Sequence, residues 1–490
     1  MANPIRLCGR GLRYLRQYGP AQLYYKIKER RDRDRAERGY DTWLSEKLPG
    51  EQEEKEQRET IFSKTPCISI LVPAYETPEK FLRQMIESVL GQSYENVELC
   101  IADGSSSEKV RQVAEEYARQ DHRLRYEKLR ENKGISENTN AALKMAQGDY
   151  VGLLDHDDIL LPGALFEIVK ALNENGEADA IYTDEDKVSM DLNHHFQPHF
   201  KPDFNMEYLC SNNYICHFFV VRRELACRVG GFRSEYDGAQ DHDFIFRCVE
   251  EAEEVLHIPK VLYSWRCHEA STANNPESKL YAYEAGKRAV SAHLERAGVK
   301  GEVLHTSNYG FYRIRFQKVD MEILINSFEN LNGQSNIKVV YYGKVCNNSV
   351  IFSGTELRKN KECYMLFTCV QKEKVNRDFW DELLSCCARP EVGMVCARVY
   401  DKKRQLSSDI SMAGVQDPFG KSMKGLKKGC MGYFHRALLQ QELVEPTDCF
   451  LVKRELIEGL DDFTTQELCE KIKKQGYKII YNPWAIVYEG

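Results

Sequence analysis

The fold prediction starts from GDYVGLLDHDD, residues 148–158, where an apolar run of strand length leads directly into acidic residues. The carboxylates are Asp155, Asp157 and Asp158, and His156 lies between them. Several polar groups at the end of a strand are costly to bury unpaired, so a cation or solvent is their natural partner. The alternative interpretation is an acidic helix start, with Asp158 capping the segment ILLPGALFEIV.

Short apolar runs alternate with amphipathic segments from Pro66 onward. The runs that predict strands are CISILVPAY (67–75), VELCIAD (97–103), LRYEKL (124–129), DYVGLLD (149–155) and DAIYTD (179–184). Apolar residues between Phe81 and Leu90 recur at helical spacing. This alternation predicts a parallel sheet with helices on both faces, in which ligands bind beyond the carboxyl ends of the strands.

The length and composition of the chain limit its number of domains, its partners and its cellular location. With 490 residues the chain is long enough for two domains and an extension. The net charge of -7 argues against nucleic acid as a partner, because phosphate binding needs a clustered basic excess. The 17 cysteines are scattered without paired spacing, which predicts reduced thiols and a cytoplasmic protein. We find no apolar run of about 18 residues that could span a bilayer.

Residues 1–62 are predicted to form a basic helical extension and a charged linker. The basic side chains before Gly39 are Arg6, Arg10, Arg13, Arg16, Lys26, Lys28, Arg30, Arg31, Arg33, Arg35 and Arg38. Such a helix fits peripheral contact with the anionic inner face of the plasma membrane. Packing of a solvated helix on its own domain fits equally well.

A second acidic motif follows about 85 residues after the first. Asp241, His242 and Asp243 come after Gly238-Ala-Gln at a predicted helix start, and SWRCH places His268 just after a strand. Imidazole can be a third metal ligand, and a carboxylate opposite the metal can take a proton from an attacking hydroxyl. Taken alone, His268 would more often be a structural hydrogen-bonding group.

These motifs together resemble glycosyltransferase family 2 over residues 66–316. The matching segments are SILVPAYETPE (69–79), CIADGSS (100–106), ENKGISENTNAAL (131–143), GDYVGLLDHDD (148–158), GGFRSEYDGAQDHDF (230–244) and HIPKVLYSWRCHEAST (257–272). The resemblance implies a GT-A fold, a Rossmann-like mixed α/β sheet with helices on both faces, in a catalytic domain at 63–317. It also implies Mn²⁺ or Mg²⁺ as cofactor and an inverting transfer from a nucleotide sugar.

The resemblance assigns roles residue by residue. Asp155 and Asp157 match the D-x-D motif, with Asp157 the preferred direct metal ligand; His268 completes the metal site, and Asp241 is the catalytic base. The positions implied to bind the nucleotide are Pro73, Tyr75, Asp103, Lys133, Asn138 and Asp155, although Ala102 departs from the commoner D-D-G-S form. The positions implied to bind donor or acceptor are Asp184, Glu185, Asp186, Asp243, Trp265 and Arg266.

Two of these assignments keep structural alternatives. Lys133 also fits an ordinary capped helix N-terminus, and residues 182–187 also fit a solvated acidic loop. Residues 191–214 are rich in aromatic residues and histidine without periodicity, which predicts an irregular lid over the substrates. We do not expect zinc there, because Cys210 and Cys216 lack the close spacing of a zinc site.

The third region, 318–490, repeats part of the second. FVVRREL (219–225) recurs as FLVKREL (450–456), but Thr368, Cys369 and Val370 stand where the first copy has carboxylates. Around the position of the base, FTTQEL (463–468) keeps only Glu467 as an acid. This predicts a degenerate GT-A-like α/β domain that is pseudo-catalytic and stabilises the first domain, binds acceptor or mediates homodimer contacts.

The predicted function is transfer of a sugar from a UDP- or dTDP-linked donor to a glycan or lipid-linked saccharide during cell-surface polysaccharide biosynthesis. A sugar-phosphate nucleotidyltransferase is one alternative, but it needs a glycine-rich basic loop where this chain has PAYETPEKF (73–81). A non-catalytic glycan-binding or scaffold protein is the other, and the retained carboxylates speak against it.

Overall fold

A computed structural model describes residues 4–176, 178–267, 280–318, 337–341, 352–353, 363–369, 373–419 and 423–489. Three helices precede the first sheet: α1 (Pro4–Ala36), α2 (Tyr40–Lys47) and α3 (Glu51–Glu59). Helix α1 bends at Gly19, whose φ is 80°, and Pro20 follows, which has no backbone N–H to continue the ladder. Among the described residues, no helix combines the length and the apolarity that crossing a bilayer requires.

The first domain is built on a nine-stranded sheet. Its strands are β1 (Ile68–Ala74), β2 (Val97–Asp103), β3 (Leu124–Lys128), β4 (Tyr150–Leu153), β5 (Ile159–Leu160), β6 (Ala180–Ser189), β7 (His195–His199), β8 (Phe219–Arg222) and β9 (Val255–Cys267). The order is β3-β2-β1-β4-β8-β6-β9-β5, with β7 paired to β6.

The sheet is mixed. Strands β5, β7 and β8 run antiparallel to their neighbours, whereas β1, β2, β3 and β4 are parallel. The mixed sheet implied by the family resemblance is therefore confirmed, while the strand and helix alternation indicated only its parallel part. Residues 219–221 of β8 are buried like those of a central parallel strand, and hydrophobicity does not encode strand direction.

Helices cover both faces of this sheet. They are α4 (Glu79–Leu90), α5 (Lys109–Gln120), α6 (Ile135–Met145), α7 (Ala164–Glu174), α8 (Met206–Ser211), α9 (Arg223–Arg228), α10 (Gln240–Glu251) and α11 (Leu280–Arg296). Ile70 and Leu71, neighbours on β1, belong to separate apolar clusters on opposite faces, as the two-residue period of a strand requires. A hairpin of β10 (Gly301–His305) and β11 (Tyr312–Phe316) follows α11.

The second domain has its own seven-stranded sheet. The elements of this region are β12 (Ile337–Tyr341), β13 (Phe352–Ser353), β14 (Tyr364–Thr368), β15 (Glu373–Val375), α12 (Phe379–Cys387), β16 (Val392–Tyr400), β17 (Gln441–Glu442), β18 (Cys449–Lys453), β19 (Asp462–Phe463), α13 (Thr465–Lys474) and β20 (Lys478–Glu489). The order β12-β14-β18-β16-β20-β15 repeats β1-β4-β8-β6-β9-β5 of the first sheet, with the same strand directions. The repeated FVVRREL and FLVKREL segments supply β8 and β18.

The two domains share a continuous interior. One buried apolar cluster runs from Phe244 of the first domain to Phe379 and Leu451 of the second. Within this contact Arg389 forms a bidentate ion pair with Glu207, whose side chain is 4% exposed. Fully buried pairs of this kind are costly to break because each partner would be left charged and unsolvated.

The basic extension packs on both domains from its middle onward. Glu29 of α1 accepts hydrogen bonds from the backbone N–H groups of Met431 and Gly432. Tyr40 and Leu44 of α2 are buried in an apolar cluster with Phe200. For residues 29–44, these contacts agree with the interpretation in which the helical extension packs on its own domain.

Candidate functional site

The carboxylate of Asp158 belongs to the scaffold below the predicted metal site. The hydroxyl of Tyr263 donates to one oxygen at 2.5 Å, and the backbone N–H of Arg266 donates to the other at 2.7 Å. Burial, together with the nearby charges of Asp155 and Asp157, raises the pKa of Asp158 well above its usual value. Asp158 thus joins β9 to the turn after β4.

Arg266 braces the same turn from the other side. Its Nε donates to the carbonyl oxygen of Asp157 at 2.5 Å, and Nη1 donates to Gln84 at 2.8 Å. Its side chain is fully buried, so the structure does not bring Arg266 to a substrate-facing position. The ammonium group of Lys187 lies 5.3 Å from the ring centroid of the neighbouring Trp265.

Asp155 and His217 face one another above this scaffold. Their ligand atoms and those of Asp158 all lie within 4.8 Å of one another. The imidazole of His217 is stacked on the ring of Tyr263, with centroids 4.6 Å apart and an interplanar angle of 7°. Burial and then the Asp157 and Asp241 carboxylates raise the pKa of Asp155, while the His217 imidazole opposes the shift.

Asp241 reaches the same space from the first turn of α10. Its Oδ2 accepts a hydrogen bond from Asn213 Nδ2 at 2.8 Å and lies 3.7 Å from the Cys216 thiol. Burial raises the pKa of the Cys216 thiol well above its usual value, and the charges of Asp241 and Asp155 add to the shift. We call the space between Asp155, His217, Cys216 and Asp241 the acidic site.

Asp243 does not face the acidic site. Its side chain is fully buried and its Oδ2 accepts two hydrogen bonds from Arg247, four residues along the same helix, at 2.7 and 3.0 Å. Arg247 also donates to the carbonyl oxygens of Val229 and Gly231. This pair fastens α10 to the preceding turn and engages the Asp243 carboxylate that was predicted to bind donor or acceptor.

The acids of β6 divide between two faces of the strand. Asp184 and Asp186 point away from Glu185, in keeping with the two-residue period. Asp184 accepts from His257 Nε2 at 3.0 Å. Asp186 accepts from Tyr40 of α2 at 2.9 Å and from Ser264 at 2.5 Å. Both carboxylates are fully buried in these networks and are not open to a substrate.

Glu185 is the acid of β6 that reaches the acidic site. It accepts a hydrogen bond from the backbone N–H of His217 at 3.2 Å and pairs with Lys201 at 3.3 Å and His199 at 3.5 Å. Lys201 in turn donates to the carbonyl oxygens of Ile215, at 2.7 Å, and His217. Burial alone would raise the pKa of Glu185, but the Lys201 and His199 contacts bring it to about 2.

Residues 191–214, which were predicted to form an irregular lid, are instead part of this buried network. The segment contains strand β7 and helix α8, and Phe200, Lys201 and Tyr208 are almost completely buried in it. Its aromatic residues lack periodicity because they pack against three elements at once: the first sheet, α2 and the second domain. Sequence reasoning therefore missed Lys201, Asn213 and His217, and no spacing motif marks any of them.

The predicted nucleotide positions cluster at the carboxyl ends of β1 and β2. Asp103 is fully buried and accepts from Tyr126 at 2.8 Å and from Lys128 at 3.0 Å. Tyr75 follows β1 and is 50% exposed, and Pro73 on the same strand is half-buried. Asp103 thus fixes the end of β2, while the exposed ring of Tyr75 is free to meet a flat ligand.

The turn before α6 lies beside these strand ends. Asn138 is buried and donates to Asn132 Oδ1 at 3.0 Å, and a Cβ at Gly104 would lie 2.7 Å from the Asn138 amide nitrogen. Lys133 is exposed and pairs with Glu131 at 3.3 Å. Asn138 therefore supports the turn after β2, whereas Lys133 projects into solvent.

Comparison with known proteins decides the family. Residues 69–229 match the model for "Glycosyl transferase family 2". This domain belongs to glycosyltransferase family 2. The mixed sheet and the second α/β domain agree with the fold class predicted from the sequence, a GT-A domain followed by another α/β domain.

Longer relatives align with most of this chain. It is 32% identical to protein y4gI of Sinorhizobium fredii over 86% of this chain and 53% of that protein. It is 27% identical to the O-antigen biosynthesis protein RfbC of Myxococcus xanthus over 90% of this chain and 38% of RfbC. The chain thus spans about half or less of the length of these relatives.

Among solved structures, the chain is similar to S. aureus TarS 1-349 in complex with UDP-GlcNAc. The identity is 21% and the TM-score 0.38, over 46% of this chain and 66% of that one.

The second domain differs from the first at the equivalent positions. Thr368 ends β14, the strand that corresponds to β4, and Cys369 follows it; both are buried. At the start of α13 the single acid, Glu467, accepts hydrogen bonds from the backbone and hydroxyl of Thr464 and so caps its own helix.

His268, the predicted third metal ligand, lies outside the described residues. Its role stays a prediction.

Proposed function

We propose that this chain transfers a sugar from a nucleotide-diphosphate donor, linked to UDP or dTDP, to a hydroxyl of a glycan or lipid-linked saccharide, with inversion at the anomeric carbon. The observation that carries the proposal is the convergence of Asp241, Asp155 and His217 in the acidic site of a family 2 domain. Two carboxylates from distant segments are brought together there at the carboxyl end of the sheet, where α/β folds bind ligands.

The residues of the acidic site fit a divalent cation. Asp155 is crowded by the like charges of Asp157 and Asp241, and its ligand atom lies within 4.8 Å of that of His217. Asp155, Asp157 and His217 are the residues that would hold Mn²⁺ or Mg²⁺, with donor oxygens completing the shell. When bound, the cation would neutralise charge developing on the leaving diphosphate.

Asp241 is proposed as the general base. Its position in the first turn of α10 places it near the positive end of the helix dipole, which stabilises a carboxylate. The Asn213 amide holds Oδ2 and leaves Oδ1 to accept a proton from the attacking hydroxyl. A single attack from the face opposite the leaving group gives inversion.

Three of the predicted donor positions are suited to hold the nucleotide. The exposed ring of Tyr75 and the half-buried Pro73 offer a surface to the base, and Asp103 orders the adjoining turn. A role in cell-surface polysaccharide biosynthesis is supported by the name of the relative RfbC. The free thiols of the described cysteines favour a cytoplasmic location, and the second domain is proposed to be pseudo-catalytic.

The test is nucleotide release by the purified full chain from a panel of UDP- and dTDP-sugars, with Mn²⁺, Mg²⁺ or EDTA. We expect release that depends on the cation, and a loss of at least about 100-fold in kcat for Asp241→Asn with donor Kd unchanged. Asp191→Asn, in an exposed turn, is the control. Normal turnover by Asp241→Asn would remove this residue from the role, and no turnover with any donor would favour a scaffold.

A further inference from the structure

Two exposed tyrosines, Tyr281 and Tyr309, lie on segments that pack next to those holding the candidate base. Tyr281 lies in the first turn of α11 and is 58% exposed. Its ring covers the turn that leads into α10, since a Cβ added at Gly238 would lie 2.7 Å from a ring carbon. Gly238 is three residues before Asp241, so Tyr281 borders the entrance to the acidic site.

Tyr309 approaches from the β10–β11 loop. It is 42% exposed and stacked on Tyr283, with ring centroids 5.0 Å apart and an interplanar angle of 13°. The carbonyl of the next residue, Gly310, accepts a hydrogen bond from Asn212 at 3.0 Å. Asn212 is followed in the chain by the residue that holds the Asp241 carboxylate, so one short segment joins the Tyr309 loop to the base.

The loop that carries Tyr309 is fixed on its other side. The hydroxyl of Tyr312 donates to the carbonyl of Tyr283 at 3.0 Å, which ties the β10–β11 hairpin to α11. The ring of Phe311 packs edge-on against His435 of the second domain, with centroids 4.2 Å apart. Tyr309 is therefore an exposed aromatic ring mounted on ordered backbone, and it loses little conformational freedom when a ligand binds.

We propose that Tyr281 and Tyr309 form a subsite for the pyranose rings of an acceptor oligosaccharide. Tyrosine presents an apolar face to the C–H groups of a sugar and a hydroxyl to its polar edge, which suits an amphipathic ligand better than a purely apolar one. Tyr281 covers the turn three residues before Asp241, and the loop of Tyr309 is bonded to Asn212, the residue before Asn213. A saccharide held on these rings would have its terminal hydroxyl directed toward Asp241. As an acceptor subsite, this inference rests on the proposed function.

Saturation-transfer NMR on the full chain without donor tests the subsite. The probes are cellohexaose, chitohexaose and a chondroitin hexasaccharide. We expect saturation of sugar ring protons in at least one probe, and a Kd raised roughly tenfold in the double variant Tyr281→Ala/Tyr309→Ala. Tyr24→Ala, at a tyrosine of α1 that is 63% exposed, is the matched control and should bind as the parent does.

Two results overturn the subsite: none of the probes binds the parent chain, or the double variant binds them as tightly as the parent. The proposed function is judged separately, because release of nucleotide from the donor in water requires no acceptor. We expect the double variant to keep that release within about twofold of the parent, and Asp241→Asn to keep oligosaccharide binding.

Discussion

The amide of Asn213 holds the carboxylate of Asp241 at 2.8 Å, although the two residues belong to different elements of the first domain. A base that is held in place needs no reorganisation when the acceptor arrives. Asn213→Ala should therefore lower kcat about 10- to 100-fold and leave the donor KM unchanged. Steady-state nucleotide release measures both constants, with Asn175→Ala as the control because its amide only caps α7. An equal rise in KM would instead mean a donor contact.

The buried pair of Glu185 and Lys201 should be needed for stability and for the shape of the acidic site. Lys201→Met leaves the Glu185 charge buried without its partner, which we expect to cost about 3–5 kcal/mol in the free energy of unfolding. The double variant Lys201→Met/Glu185→Gln should recover part of that loss. It should not recover activity, because the Ile215 and His217 carbonyls still lack their donor. Urea unfolding measures the change in stability, and nucleotide release measures the change in activity.

The interdomain pair of Arg389 and Glu207 predicts that the domains unfold together. Arg389→Met should reduce the free energy of unfolding by about 3–5 kcal/mol and separate one calorimetric transition into two. The exposed pair of Arg454 and Glu458, 3.0 Å apart, is the control, and its removal should change stability by less than about 1 kcal/mol. A single transition in Arg389→Met would show that apolar packing alone couples the domains.

Stability should fall on acidification before most carboxylates are protonated. Burial lowers the pKa of His199 and of His242 to about 4. The unfolded chain binds these protons near the ordinary histidine pKa of about 6.5, so stability present above that value is lost as the pH falls toward 4. The expected slope is about 1.4 kcal/mol per pH unit for each histidine. Unfolding at a series of pH values should show a shallower slope for His242→Gln.

Charge repulsion in the acidic site predicts that removing the charge of Asp155 raises stability and abolishes activity. Asp155 is crowded by Asp157 and Asp241, so Asp155→Asn should raise the free energy of unfolding in EDTA, on the order of 1 kcal/mol, while it abolishes transfer. The stabilisation that Mn²⁺ gives the parent should be smaller in this variant. Thermal unfolding with and without Mn²⁺ measures both effects, and a lower melting temperature in EDTA would contradict the repulsion.

Much of the site could be placed from local sequence, but side-chain direction could not. Asp241 and Asp243 carry the same side chain two residues apart in α10. Successive helical side chains differ in direction by about 100°, so Asp241 faces the acidic site whereas Asp243 pairs with Arg247. The same limit applies to β6, where the two-residue period separates Glu185 from its neighbours. The family resemblance implies a substrate contact for Arg266, whereas the structure buries its side chain under the turn after β4.

The amino-acid sequence alone was enough to place strands β1, β2, β3, β4 and β6. It also revealed the repeat of part of the first domain in the second and the carboxylates that follow β4 and begin α10. These features depend on periodicity and on neighbours in the chain, which are local. Three-dimensional packing was needed to show that Asn213, His217 and Lys201 lie around those carboxylates. It also showed that α2 and the second domain pack against the segment that carries Phe200. Such contacts join residues far apart in the chain, and packing selects them from many side chains of similar chemistry.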